Sequence, residues 1–278
     1  MRYTVARTNG GPRVVIDRGS GHAVITTWTS LRDAFLGGLL DGADGVGAVE
    51  VDVAELDLAP AAGVVGKVLC VGHNYTQHIL EMGHGLPDHP NVFSKYPEAL
   101  VGPFDDIALS EESQAWDWEG ELALVIGKAA RNVTEAEAPS HIAGYTVAND
   151  ISARDWQRRS TQWLLGKTFA ATTPLGPWFV SSDEVDPDAG LALTCSVDGD
   201  VKQASTTSDL LFKPAFLVSY LSRVLTLEPG DVVLTGTPAG VGAAREPAEF
   251  LRPGQEVVTE IEGVGRLSNK CVAAAGIG

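Results

Sequence analysis

The stretch Trp118-Glu119-Gly120-Glu121-Leu122-Ala123-Leu124-Val125-Ile126 limits what this chain can fold into more than any other segment does. The run after Glu121 is apolar at every position, too short for a typical helix and closed by Gly127, which predicts a strand buried within a sheet. Side chains alternate along a strand, so Glu119 and Glu121 share a face with Ala123 and Val125. Two ionised carboxylates at the end of such a face repel, and burial alone drives at least one of them to take up a proton. A hard divalent cation removes the conflict. Oxygen ligands suit magnesium, manganese or calcium, whereas zinc usually recruits nitrogen or sulfur. The alternative is a solvated edge on which both glutamates pair with Lys or Arg.

At 278 residues the chain can bury a full core, and its length fits one large domain or two smaller ones. No apolar run is long enough to span a bilayer, which argues against a membrane protein. Met1-Arg2-Tyr3-Thr4 reads as a first strand rather than the start of a signal peptide, and Cys70, Cys195 and Cys271 lie outside any metal-ligand spacing. Reduced thiols in a cytoplasmic protein are the expectation. A formal net charge of -16 with no basic run argues against nucleic acid as a partner.

Residues 1–63 predict a small N-terminal domain, with strands at Tyr3 to Ala6, Arg13 to Ile16 and Ala23 to Thr26 and a helix from Ser30 to Gly37-Gly38. Leu58 to Gly63, rich in small residues and proline, reads as a linker. Residues 64–278 predict a mainly β (α+β) catalytic domain. Its helices are expected at Tyr75 to Met82, Ser152 to Trp163 and Thr207 to Thr226, the last interrupted at Pro214, with a hairpin turn at Asp198-Gly199.

Further groups with chemical potential follow. Asp150 sits where a strand enters a helix, either as a third oxygen ligand or as a simple N-cap. Arg154 and Gln157, three apart, share a helical face that can hold a carboxylate or can be solvated alongside Arg158 and Arg159. Lys167 follows Gly166, and Thr235-Gly236-Thr237-Pro238-Ala239-Gly240-Val241-Gly242 is a glycine-rich turn without the Walker lysine or the Rossmann spacing. His78 and Glu81 share a helical side, an arrangement in which a carboxylate orients an imidazole base. His73, His84 and His89 lie nearby but match no zinc motif.

Read in order, Gly72-x-Asn74-Tyr75-x-x-His78-x-x-Glu81-Met82, Glu119-x-Glu121, Asn149-Asp150-x-Ser152-Ala153-Arg154-Asp155-x-Gln157, Gly166-Lys167-x-Phe169 and Thr235-Gly236-Thr237-Pro238-x-Gly240-Val241-Gly242 resemble the fumarylacetoacetate hydrolase family from about Lys67 to Leu267. The resemblance implies a mixed β-sandwich roll with a small N-terminal domain, a homodimer, and a small-molecule keto acid substrate of the kind met in aromatic compound catabolism. It further implies Mg2+ or Mn2+ held by Glu119, Glu121 and Asp150, with Ca2+ able to substitute in a crystal. Tyr75, Arg154, Gln157 and Thr237 would then bind substrate, and His78, Glu81 and Lys167 would be catalytic. Val71-Gly72-His73-Asn74 supplies no extra acidic ligand as larger relatives do, and Ala170-Ala171 stand where many relatives carry aspartate.

The activity implied first is hydrolysis of a carbon-carbon bond in a β-diketo acid of acylpyruvate or fumarylacetoacetate type, through an enolate stabilised by the metal and Lys167. Oxaloacetate decarboxylation and isomerisation of a hydroxyheptadienedioate-type diacid use the same enolate and are the alternatives. A metal-binding scaffold without turnover stands behind them.

Overall fold

The computed structural model describes residues 1–43, 48–63, 65–81 and 85–274, with only the backbone of His78 and Glu81. Among them a large mixed sheet runs in the spatial order Val49–Asp52, His22–Ile25, Arg13–Gly19, Arg2–Arg7, Thr173–Ser181, Ile142–Asn149, Gly120–Ile126, Val232–Leu234, Val68–Gly72 and Asn91–Lys95. A second sheet of five strands runs Asp200–Thr206, Ala192–Val197, Glu256–Ile261, Gly265–Ala273 and Ile107–Leu109. The fold is β-rich α+β, as expected.

The strand Gly120–Ile126 is buried along its whole length. Ala123 and Val125 pack on one side with Val68, Cys70 and Leu234, where the N-terminal residues Tyr3, Val5, Leu31 and Phe35 also enter. Leu122, Leu124 and Ile126 pack on the other side beneath Leu217, Val218 and Leu221 of the helix Pro214–Val224. Such two-sided burial is why the segment lacks polar alternation beyond Glu121. The N-terminal strands extend the same sheet, because Arg2 and Tyr3 pair with Val180 and Phe179. The residues read as a linker are largely inside, with Ala59, Ala61 and Ala62 buried.

Two helices differ from expectation. Only Pro214–Val224 of the expected long helix is α-helical, and Pro214 opens it instead of interrupting it. Proline suits a first turn, where its missing N–H has no intrahelical partner. The segment after Asp150 first pairs Ser152 and Ala153 with Asp117 and Trp116, then makes one short helix, Arg154–Gln157. Beyond it the Ser160 side chain bonds the backbone of Gln162 and competes with helix continuation. Asp198 and Gly199 both adopt left-handed backbone, which fits the expected tight hairpin.

Buried Asn74 ties the loop after Val68–Gly72 to two distant segments. Its amide donates to the carbonyls of Phe212 at 2.9 Å and Thr235 at 2.7 Å, and its oxygen accepts from the Phe212 N–H at 2.7 Å. An Asn74→Ala variant strands three buried backbone groups and should lose about 3 kcal/mol of stability. Urea unfolding checks this: the midpoint falls with an unchanged slope, and an unaltered midpoint would mean that water replaces the amide.

Candidate active site

The hairpin formed by Gly120–Ile126 and Ile142–Asn149 brings three acids to one place. Gly120 pairs with Asn149 and the Asp150 N–H donates to the Glu119 carbonyl at 2.8 Å, so Glu119, Glu121 and Asp150 leave the same end of the pair. All three are buried, and one carboxylate oxygen from each lies within 4.8 Å of the others. Asp150 is not an N-cap. The short helix is preceded by Ala153 with no side-chain cap, and the Asp150 carboxylate points inward to Lys95 and Lys167.

Basic side chains do reach this cluster, though in a buried setting and not on a solvated edge. Lys167 Nζ donates to Glu119 and, at 2.8 Å, to Asp150 Oδ2, while Lys95 Nζ donates to Asp150 Oδ1 and to the Ile151 carbonyl at 3.2 Å. Arg154 forks three ways: Nη2 to Glu119 at 2.6 Å, Nε to Asp117 at 2.8 Å and Nη1 to the Gln157 amide oxygen at 3.0 Å. Glu121 has no ion pair among the described residues and accepts one hydrogen bond, from the Gly236 N–H at 2.7 Å. Gly236 has φ +104, and a Cβ there would stand 2.9 Å from both the Val71 carbonyl and the Asn74 side chain. Only glycine lets that N–H approach.

Four buried carboxylates, counting Asp117, therefore face three buried cations. The unequal pairing sets the protonation of the cluster. Burial pushes Glu119 up, but Arg154 and Lys167 more than reverse this and hold it ionised. Burial and the charges of Asp150 and Glu119 push Glu121 well above the usual carboxylate range. Lys167 stays charged, because Asp150 and Glu119 outweigh the burial that would lower it. The donor set is all oxygen, compact and one positive charge short, which suits a hard dication.

A cleft opens above the cluster and is lined by Glu119, Glu121, Arg154, Lys167 and Thr237, with walls from His73, Phe93 and Trp163. Lys167 Nζ also lies 4.9 Å from the Phe93 ring centroid. The Thr237 hydroxyl donates to the Gly120 carbonyl at 3.0 Å and accepts from Gln203 at 2.8 Å, which leaves it an acceptor for an incoming hydroxyl. Gln157 is held beside Arg154. Tyr75 is buried beneath the site, its hydroxyl without a hydrogen-bond partner among the described residues, and burial with the nearby Glu121 charge raises its pKa. His78 and Glu81 fall on the helix Thr76–Glu81, and their side chains lie outside the described residues.

Among the described residues the histidines do not assemble. His73 meets Trp163 edge-on at 5.4 Å and His89 stacks on Tyr220 at 6.2 Å, while His84 lies outside the described residues. Two buried charges went unnoticed in the sequence. Asp117 has the same strand parity as Glu119 and Glu121, a signal that could have found it, and it accepts from Arg154 and from the Gly242 and Ala243 N–H groups at 2.6 and 3.0 Å. Lys95 ends the strand Asn91–Lys95 and carried no sequence signal.

The model of the family described as Fumarylacetoacetate (FAA) hydrolase C-terminal matches residues 67–272. Oxaloacetate tautomerase FAHD2A, mitochondrial, of Bos taurus is 50% identical over 208 residues, covering 74% of this chain and 66% of its own length. This chain thus spans just under two thirds of that relative. The fumarylacetoacetate hydrolase domain-containing protein 2 homolog of Dictyostelium discoideum is 47% identical, covering 73% of this chain and 70% of its own length. Among solved structures, a fumarylacetoacetate hydrolase from Exiguobacterium antarcticum superposes with a TM-score of 0.86 at 33% identity, covering 99% of this chain and 100% of its own. The 2-hydroxyhepta-2,4-diene-1,7-dioate isomerase from Mycobacterium marinum gives 0.80 at 34% identity, covering 98% of each. The family match over most of the chain and the full-length structural likenesses agree: this chain belongs to the fumarylacetoacetate hydrolase family.

Proposed function

We propose that the protein is a divalent-metal-dependent tautomerase of a short 2-keto diacid of the oxaloacetate type, interconverting enol and keto forms. The observation that carries this reading is the buried cluster Glu119, Glu121, Asp150 and Lys167, a site organised to stabilise negative charge on oxygen. The 50% identity to an oxaloacetate tautomerase supports this over the carbon-carbon hydrolysis first expected from sequence.

Glu119, Glu121 and Asp150 would hold Mg2+ or Mn2+, which when bound supplies Lewis-acid polarisation of the substrate's keto and carboxylate oxygens. The Lys167 ammonium, charged and buried, stabilises the enolate oxygen. Arg154 keeps two of its five N–H donors beyond those used by Asp117, Glu119 and Gln157, and they are available to the carboxylate next to the keto group. His78, paired with Glu81 as the sequence motif implies, would take the enol O–H proton and return it to the neighbouring carbon, so the reaction consumes nothing. The walls of His73, Phe93 and Trp163 limit water at the reacting carbon.

Hydrolysis remains the second reading, favoured by the full-length likeness to the Exiguobacterium antarcticum hydrolase, and it would use His78 to activate water instead. With Mg2+ or Mn2+ present, enol oxaloacetate should lose its ultraviolet absorbance faster with the protein than without it, and no pyruvate should appear. Removing metal or changing Lys167→Met should cost about a hundredfold or more. Pyruvate release from oxaloacetate would instead identify a decarboxylase, cleavage of an acylpyruvate a hydrolase, and inactivity on all of them would defeat the enzyme reading.

Metal occupancy has a separate test in stability. A carboxyl whose pKa is raised on folding stabilises the protein fully below its unfolded value, ordinarily 4.5 for glutamate, and that contribution is lost as pH rises through the raised folded value. The metal-free protein should therefore weaken above pH 4.5 by up to about 1.4 kcal/mol per pH unit from Glu121 until its folded pKa is passed. Glu121→Gln should remove that slope, and saturating Mg2+ should restore stability in the wild type alone. Denaturation at a series of pH values reads both, and equal slopes in the two proteins would refute the assignment.

A further inference from the structure

We infer that Arg158 binds the second carboxylate of the substrate and makes the site selective for dicarboxylates over monocarboxylic keto acids. The inference rests on the keto acid reading above and adds the residue that reads the far end of the molecule. Arg158 closes the turn that begins at Arg154, its N–H donating to the Arg154 carbonyl at 3.1 Å, so the two side chains leave the same helical face. Both line the cleft. Arg154 is buried against Asp117 and Glu119 at the floor, whereas Arg158 is exposed at the rim.

The neighbouring arginine behaves differently. Arg159 turns to the outer surface, where its guanidinium lies 3.6 Å from the Trp156 ring centroid. The Arg158 side chain makes no hydrogen bond, ion pair or ring contact among the described residues. Of the cleft's Arg and Lys side chains, Arg154 and Lys167 are already committed to Asp117, Glu119 and Asp150, so Arg158 is the uncommitted positive charge among described residues.

Charge and reach agree with a diacid. The buried groups Asp117, Glu119, Glu121 and Asp150 against Lys95, Arg154 and Lys167 leave one negative charge, which a dication turns into one positive. Arg158 raises this to two, matching a dianion and exceeding the single charge of an acylpyruvate. One helical turn advances about 5 Å. Three carbon-carbon bonds of about 1.5 Å each, bent at the carbons, separate the carboxyl carbons of a four-carbon diacid by roughly 4 Å. A ligand gripped at the floor near Arg154 thus presents its other carboxylate about one turn along, at Arg158.

The test compares two probes that differ only at that end: 2-hydroxysuccinate, and 2-hydroxybutyrate with a methyl group in place of the distal carboxylate. Calorimetry in the presence of Mg2+ should show wild-type preference for the diacid. Arg158→Gln should weaken 2-hydroxysuccinate roughly ten- to a hundredfold and leave 2-hydroxybutyrate unchanged, as expected for a lost charged hydrogen bond. Arg158→Lys should recover part of the preference, and Arg159→Gln should leave it intact. A wild type without preference, or an Arg158→Gln variant that retains it or weakens both probes alike, overturns the inference. These outcomes are separable from turnover: ketonisation of oxaloacetate with no effect of Arg158→Gln sinks the role of Arg158 alone, and diacid selectivity without ketonisation sinks only the proposed reaction.

Discussion

An unequal count of buried charges governs the centre of this molecule. Asp117, Glu119, Glu121 and Asp150 are enclosed with Lys95, Arg154 and Lys167; Arg154 and Lys167 each bridge two acids, and Lys95 pairs with Asp150. Burying an ion costs several kcal/mol even after relaxation, so such a cluster persists only where geometry is tightly held and the remaining charge has somewhere to go. Protonation of Glu121 is one outlet and a dication is the other. The pairs are therefore poor evidence for stability and good evidence for a site whose occupant carries charge.

Hydrogen bonds between side chains and backbone hold that geometry alongside the ion pairs. Asp117 collects the Gly242 and Ala243 N–H groups and the Arg154 Nε–H, linking the glycine-rich turn to Arg154. Gly236 gives its N–H to Glu121 while Asn74 anchors the neighbouring Thr235 carbonyl, and Gln203 and Asn149 cap the Gly120 and Glu119 N–H groups at 2.9 Å. Both sheets and three loops thus meet at Glu119-Gly120-Glu121. Displacing any one of these supports moves a carboxylate oxygen.

The acids were legible in the sequence because strand parity is a local rule: Glu119-x-Glu121 followed by an apolar run fixes both the face and the burial. Asp150 required the register of two strands, which no local pattern states, and became visible only through the ordered set of motifs. Lys95 escaped because a lysine ending a short strand has no periodicity, and only the packing of a distant edge makes it a partner for Asp150. The helix Arg154–Gln157 is shorter than the sequence predicts, since pairing of Ser152 and Ala153 with Trp116-Asp117 consumes its expected first turn. Pro214, which the pattern predicts as a break, is instead the start of a helix.

A committed interior also locates where relatives can diverge. Enol-keto exchange, diene isomerisation and carbon-carbon hydrolysis all pass through stabilised negative charge on a keto oxygen, the step at which the proposed function would use Lys167 and the acid cluster. Changes inside the cluster would strand buried charge, so selection among these reactions falls to the cleft wall and rim. Ala170 and Ala171, where many relatives carry aspartate, do not line the cleft; Ala171 sits in a left-handed turn bonded to Glu98 and Ala108. The positions free to vary without disturbing the buried ledger are those that touch the ligand but carry no internal partner, and a charge placed among them alters which acid fits while leaving the enolate chemistry as it was.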